Sequence, residues 1–109
     1  MINVTDVAFI ANSGREGAWS NGSSGLTTMT DVTFSDNHAL EAVGGDSGAL
    51  RNDGTLSLVN VTIANNVTDD PGGDGSGGME NTGTLTITNS DIVGNTGAAR
   101  APRAPGDSI

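Results

Sequence analysis

The chain has no cysteine, no tyrosine and no lysine, and only three aromatic residues: Phe9, Trp19 and Phe34. Each absence excludes something. Without cysteine there is no disulfide framework, no thiolate zinc site and no thiol nucleophile. Without lysine, and with only four arginines against thirteen acids, the formal net charge is −9. That balance argues against a nucleic-acid surface, which needs clustered cations. No apolar run approaches the roughly 20 residues of a membrane span, so no membrane insertion is expected. The N-terminus carries neither the charged nor the apolar segment of a signal peptide, so none is expected in this chain. Hydrophobic residues make up 34 % and glycines number seventeen in 109 residues, a composition that leans toward disorder.

The order of the residues points the other way. Four segments align: 4–12 (VTDVAFIAN), 29–37 (MTDVTFSDN), 58–66 (LVNVTIANN) and 87–95 (ITNSDIVGN). Their starts at 4, 29, 58 and 87 are 25, 29 and 29 residues apart. A second block recurs upstream of the last three: 17–21 (GAWSN), 48–52 (GALRN) and 78–81 (GMEN), the last offset by one at its glycine. A fixed period of this length marks a repeat architecture. Within each unit the hydrophobic period is two, as in Thr55-Leu-Ser-Leu-Val59 and Thr84-Leu-Thr-Ile-Thr88, which is the strand signature. Val, Ile and Thr fill these runs, and Gly, Asn and Asp separate them. The one stretch with helical character, His38 to Val43, is long enough for a single turn before Gly44-Gly45.

A unit of 25 to 29 residues with about three short strands and no helix predicts one coil of a parallel β-helix. Stacked coils bury together what one coil cannot bury alone. The expected fold is all-β: a right-handed parallel β-helix of about four coils over residues 1–97. Residues 98–109, with two of the three prolines and two of the four arginines, read as a disordered tail. The alignment predicts five inward columns. They are Trp19/Leu50/Met79, Ile2/Thr27/Leu56/Leu85, Val4/Met29/Leu58/Ile87, Val7/Val32/Val61/Ser90 and Phe9/Phe34/Ile63/Ile92. Thr27 is a poor member of its column, and a local bulge would put Leu26 there instead. No capping unit is visible and the first coil starts partway through the repeat, so the chain is expected to be a section of a longer solenoid, a truncated reading frame or a marginally stable piece.

Three polar columns are predicted as well: Asn21/Asn52/Asn81, Asp6/Asp31/Asn60/Asn89 and Asn12/Asn37/Asn66/Asn95. Asparagine tolerates the left-handed αL conformation of a tight corner. Its amide also bonds the like amide one coil away, a ladder of the kind found in stacked strands. These residues therefore read as structural.

The paired motifs resemble the polymorphic outer-membrane protein repeats of bacterial autotransporters, which carry a Gly-Gly-Ala-apolar block and a Phe-x-x-Asn block. The first stands here at Gly17-Ala18-Trp19, Gly48-Ala49-Leu50 and Gly77-Gly78-Met79. The second stands at Phe9 to Asn12 and Phe34 to Asn37, and with Ile for Phe at Ile63 to Asn66 and Ile92 to Asn95. The resemblance spans about residues 1–97. It implies a right-handed β-helix in a secreted or cell-surface setting, acting as a non-enzymatic stalk or adhesin-like passenger segment. A carbohydrate or protein surface ligand is the implied partner, and the coil ends are candidates for self-association. The alternative is a fragment of a pectin-lyase-like carbohydrate-active enzyme.

Candidate chemistry is sparse, and no catalytic residue is assigned. His38 is the only histidine, with Asp36 and Asp46 near it in sequence. A polyuronate lyase needs a cation and a base. Arg51 beside Asp53 is the one such pair inside a well-matched coil, and it reads as a solvated outward pair. Insertions at His38–Ser47 and Val67–Ser76 occupy equivalent places and carry Glu41, Asp46, Asp69, Asp70 and Asp74. Stacking would gather these carboxylates on one flank, which makes Ca²⁺ the candidate metal, since it favours several oxygen ligands. The run Gly72 to Gly77 shares glycines and an aspartate with calcium-binding nonapeptides but does not repeat. No other cofactor is expected. Outward threonines form ladders of the kind ice-binding faces use. Asn3, Ser57 and Val59 interrupt them, and strand propensity accounts for them. The glycosylation patterns at Asn3, Asn21, Asn60 and Asn66 follow from an Asn/Thr-rich composition.

Overall fold

The computed structural model describes residues 1–15, 17–40, 47–69 and 75–97. The described residues form short strands, turns and bends, with no helix. Along the first repeat run β1 (Ile2–Thr5), β2 (Ala8–Ile10), β3 (Ser13–Gly14) and β4 (Trp19–Asn21). The second repeat holds β5 (Leu26–Thr30), β6 (Thr33–Ser35), β7 (His38–Ala39) and β8 (Leu50–Asn52). The third holds β9 (Thr55–Val59), β10 (Thr62–Ala64), β11 (Val67–Thr68) and β12 (Met79–Asn81). The fourth begins with β13 (Thr84–Thr88) and β14 (Asp91–Val93).

Every pairing between these strands is parallel and joins equivalent places of successive repeats. The first sheet runs β1-β5-β9-β13, the second β2-β6-β10-β14, the third β3-β7-β11 and the fourth β4-β8-β12. Each of the first three repeats thus lays one strand on each sheet in the same order, the fourth continues the first two sheets, and each repeat forms one layer of the stack. The register reproduces the sequence alignment residue for residue: Val4↔Met29↔Leu58↔Ile87, Phe9↔Phe34↔Ile63↔Ile92 and Trp19↔Leu50↔Met79. A one-residue slip would turn each inward face to solvent, so the apolar alternation pins this register.

The buried core draws on the first, second and fourth sheets. Met29, Leu56, Leu58, Val32, Phe34, Val61, Ile63, Leu50, Met79 and Ala49 form one cluster. Val4, Phe9, Trp19, Leu85 and Ile92 pack on it from the outer layers, partly buried. Phe9 stacks on Phe34 with ring centroids 4.8 Å apart and planes at 9°. That distance equals the layer spacing, so the ring stack follows from the backbone register. Trp19 meets Phe9 edge-on at 5.7 Å.

Four expectations change. Thr27 keeps its place in its column, pairing with Ile2 and Leu56 without a bulge, while Leu26 pairs with Thr55 and stands 48 % exposed. The Thr27 hydroxyl donates to Asn21 Oδ1 at 2.9 Å, which makes a buried threonine tolerable. Each of the first three layers has four strands, not about three, because the two-residue strands β3, β7 and β11 are too short to show alternation. His38 and Ala39 therefore belong to a strand rather than a helical turn. The insertions are shorter than the sequence suggests: their flanks pair between layers as His38↔Val67, Ala39↔Thr68 and Ser47↔Ser76.

The fourth change concerns the corners. Asp6, Asp31, Asn60 and Asn89 do adopt positive φ, at 55°, 56°, 54° and 47°. The second corner lies one residue before the Asn12 column, at Ala11, Asp36, Asn65 and Gly94, with φ of 55°, 55°, 57° and 64°. The asparagines after it are in ladders instead. Asn37 Oδ1 accepts from Asn12 N at 3.0 Å and Asn12 Nδ2 at 2.9 Å. Asn66 Oδ1 accepts from Asn37 N at 2.9 Å and Asn37 Nδ2 at 2.8 Å. Asn95 Oδ1 accepts from Asn66 N and Nδ2, both at 2.9 Å. A second ladder runs Asn21 Nδ2 to Asn52 Oδ1 and Asn52 Nδ2 to Asn81 Oδ1, each 2.7 Å. Close approach of the layers also explains the glycines at 17, 48 and 77. A Cβ on Gly48 would collide with the Gly77 carbonyl oxygen, and one on Gly17 with that of Gly48.

Candidate functional site

Among the described residues the buried interior is apolar apart from the asparagines of the ladders and the small hydroxyl residues Thr27, Ser47, Thr68 and Ser76, so the ionisable side chains stand on the outward faces. Two polar clusters stand out, one on the third sheet and one on the fourth.

On the third sheet, His38 in β7 pairs with Val67 in β11, so Asp69 lies two residues beyond its cross-strand partner on the same face. The Asp69 backbone N–H bonds Ala39 O at 3.0 Å and extends this register. His38 Nε2 sits 2.6 Å from Asp69 Oδ2, with the side chains 38 % and 56 % exposed. A carboxylate in this place orients an imidazole. At such exposure the pair contributes about 0–1 kcal/mol to stability. Asp36 and Asp46 are nearer to the histidine along the chain, and Asp46 lies outside the described residues. The missed signal was the alignment itself: position 38 is equivalent to 67, which brings 69 within reach.

Asp69 is the one calcium candidate among the described residues. Glu41, Asp46, Asp70 and Asp74 lie outside them. Among the described residues, no group of three or more His, Asp or Glu side chains is placed to hold a metal ion.

On the fourth sheet, Arg51 of β8 lies between Ser20 of β4 and Glu80 of β12. Arg51 Nε donates to Asp53 Oδ2 at 3.0 Å. The Thr82 hydroxyl, one layer on, donates to Asp53 Oδ1 at 2.6 Å. The Thr82 hydrogen bond holds the Asp53 carboxyl below its ordinary range; burial opposes this, and the Arg51 guanidinium reinforces it. A depressed folded-state pKa stabilises the fold above the unfolded-state value of about 3.9, and the contribution is lost as pH falls through the lower folded value. Thr82→Val is therefore expected to cost about 0.5–1 kcal/mol at neutral pH and less in acid, below both values. Urea titrations of both proteins at neutral and strongly acid pH check this. An equal loss at the two pH values would show that the hydroxyl does not act through the carboxylate.

The first sheet carries two outward polar columns. Asn3, Thr28, Ser57 and Thr86 are in register in one column, and Thr5, Thr30, Val59 and Thr88 in the next.

Compared with known proteins, the chain matches no family model, no curated protein and no solved structure.

Proposed function

We propose that this chain is a section of right-handed parallel β-helix that serves as a non-enzymatic stalk or display module of a secreted or cell-surface bacterial protein. The observation that carries the reading is the strand order: each of the first three repeats lays one strand on each parallel sheet, in the same sequence and register, and the fourth continues the first two sheets. Such a stack is rigid along its axis and tolerates insertions on one flank, because a loop between two paired strands leaves the register untouched. Both insertions fall on the same flank, between the third and fourth sheets, where β7 and β11 end and the Ser47↔Ser76 bridge resumes the pairing. A carbohydrate or protein ligand would be read by these insertions, and their carboxylates are the candidate ligands for calcium. The resemblance of the Gly-Ala-apolar and Phe-x-x-Asn blocks to outer-membrane repeats supports the surface setting.

The test is fractionation of native cells with an antibody against the repeats, together with an assay of the purified protein on polygalacturonate. Product in the envelope or medium, and no new unsaturated sugar, is the expected result. A cytoplasmic product overturns the surface reading, and turnover of the polyuronate moves the chain into the lyase class.

A further inference from the structure

Asn21-Gly22 is the only Asn-Gly pair in the sequence, and it stands on a rung of the second asparagine ladder. We propose that it is a self-modifying deamidation site, guarded by the repeat stacked on it, whose reaction breaks that rung irreversibly wherever the protein acts.

Packing does not ask for glycine at position 22. A Cβ built there meets no atom within 4 Å, and Gly22 is not among the residues of positive φ. Its neighbours differ: a Cβ on Gly25 would strike Asn21 Oδ1, and one on Gly54 the Gly22 carbonyl oxygen. Asn21 is in register with Asn52 and Asn81, which are followed by Asp53 and Thr82. The fold therefore accepts a side chain after the ladder asparagine.

What glycine supplies is an unshielded backbone nitrogen beside a carboxamide. The chemistry needs only water. The Gly22 nitrogen gives its proton to solvent and attacks Asn21 Cγ. An N–C bond forms, the Cγ–Nδ2 bond breaks, and ammonia leaves with a proton from solvent. Water then opens the cyclic imide at either carbonyl, giving aspartate or isoaspartate. In sum, one water enters and one ammonia departs.

In the folded chain the carboxamide is held. Asn21 is buried, its Nδ2 donates to Asn52 Oδ1 at 2.7 Å and to Thr55 O at 3.2 Å, and its Oδ1 accepts from the Thr27 hydroxyl at 2.9 Å. Asp53 N donates to the Asn21 carbonyl oxygen at 2.8 Å. Asn52, Asp53 and Thr55 all lie about one repeat further along the chain, so the carboxamide turns toward Gly22 only when that repeat lifts away.

The product cannot re-form the rung. A carboxylate has no hydrogen to give to Asn52 Oδ1 or Thr55 O, and it sets a charge among acceptors in a buried site. Asn52 Nδ2 is already committed to Asn81 Oδ1, Gly54 O and Thr84 O. Isoaspartate also lengthens the main chain by a methylene where Asn21 pairs with Asn52. A passing separation of two repeats thus becomes a lasting one.

Peptide mapping by mass spectrometry follows the reaction in the purified chain at mildly alkaline pH, folded and in urea. In urea, Asn21 should convert faster than every other asparagine. In the folded chain its conversion should be slower by about tenfold or more, since only the opened fraction reacts. Gly22→Ala should match or exceed the parent's urea midpoint, while conversion at Asn21 in urea falls severalfold. Asn21→Asp, the product, should unfold at lower urea than the parent. Equal rates at Asn21 in the folded and unfolded chain would overturn the guarding. Another asparagine converting first in urea, or Gly22→Ala converting as fast as the parent, would overturn the site. A lowered midpoint for Gly22→Ala would give the glycine a structural reason, and Asn21→Asp with the parent's midpoint would remove the switch.

Discussion

Replacing Leu58 by aspartate is expected to abolish the fold. Leu58 stands in the third of four stacked strands, between Met29 and Ile87, with no solvent exposure. Its neighbours are apolar on every layer the column crosses, so a carboxylate there finds no cation and no donor. Burying an unpaired charge costs several kcal/mol even after relaxation, and removing the leucine loses a further ~2–5 kcal/mol of packing. A domain of this kind has about 5–15 kcal/mol to lose. Far-ultraviolet circular dichroism should show the strand signal collapsing in Leu58→Asp. The exposed Thr86→Ala, between Leu85 and Ile87 on β13 and facing outward, should stay within about 0.5 kcal/mol of the parent. A folded Leu58→Asp would mean that this column is not the core.

Asn66→Leu is expected to cost about 3–5 kcal/mol, although it replaces a polar side chain by an apolar one of similar size in a buried site. Asn66 is fully buried and holds three layers together. Its Oδ1 accepts from Asn37 N and Nδ2, and its Nδ2 donates to Asn95 Oδ1 and to Phe34 O at 3.1 Å. Leucine would strand the Asn37 N–H in the interior at about 1–3 kcal/mol and would remove the bonds to Asn37 Nδ2, Asn95 Oδ1 and Phe34 O, each worth about 0.5–1.5 kcal/mol. The denaturation midpoint should fall steeply with an unchanged m-value, the mark of lost stability without a changed unfolded state. A loss below about 1 kcal/mol would show that the ladder adds little beyond the strand pairing, and that neighbouring groups re-pair without it.

The two substitutions probe features that differ in how they could be read. The apolar columns were legible because the strand period is two and the repeat length is nearly constant, so inward residues align by counting alone. Phe9, Phe34, Ile63 and Ile92 fall in register as the alignment requires. The asparagine ladders were legible for the same reason. Their geometry was not, because two asparagine-bearing columns look alike in sequence. Only the backbone distinguishes Asn60, which turns the corner at φ 54°, from Asn66, which follows the corner made by Asn65. The third sheet was invisible: Ser13–Gly14, His38–Ala39 and Val67–Thr68 are strands of two residues, and two residues carry no alternation.

The side chains with chemistry show the same division. The pairing of Arg51 with Asp53 could be suspected from two positions two residues apart at the end of β8, but the Thr82 hydroxyl that completes it comes from the next layer. The His38–Asp69 contact joins residues 31 apart in the chain.

The sequence by itself determined the repeat, the all-β class and the inward columns, because each depends on a period that survives in one dimension. The tertiary structure decided which turn residue takes the left-handed corner, where two-residue strands pair, and which polar groups meet between layers. Those outcomes depend on the spacing and direction of hydrogen bonds across repeats, about 25 to 31 residues apart in the chain, and they exist only once the layers are stacked.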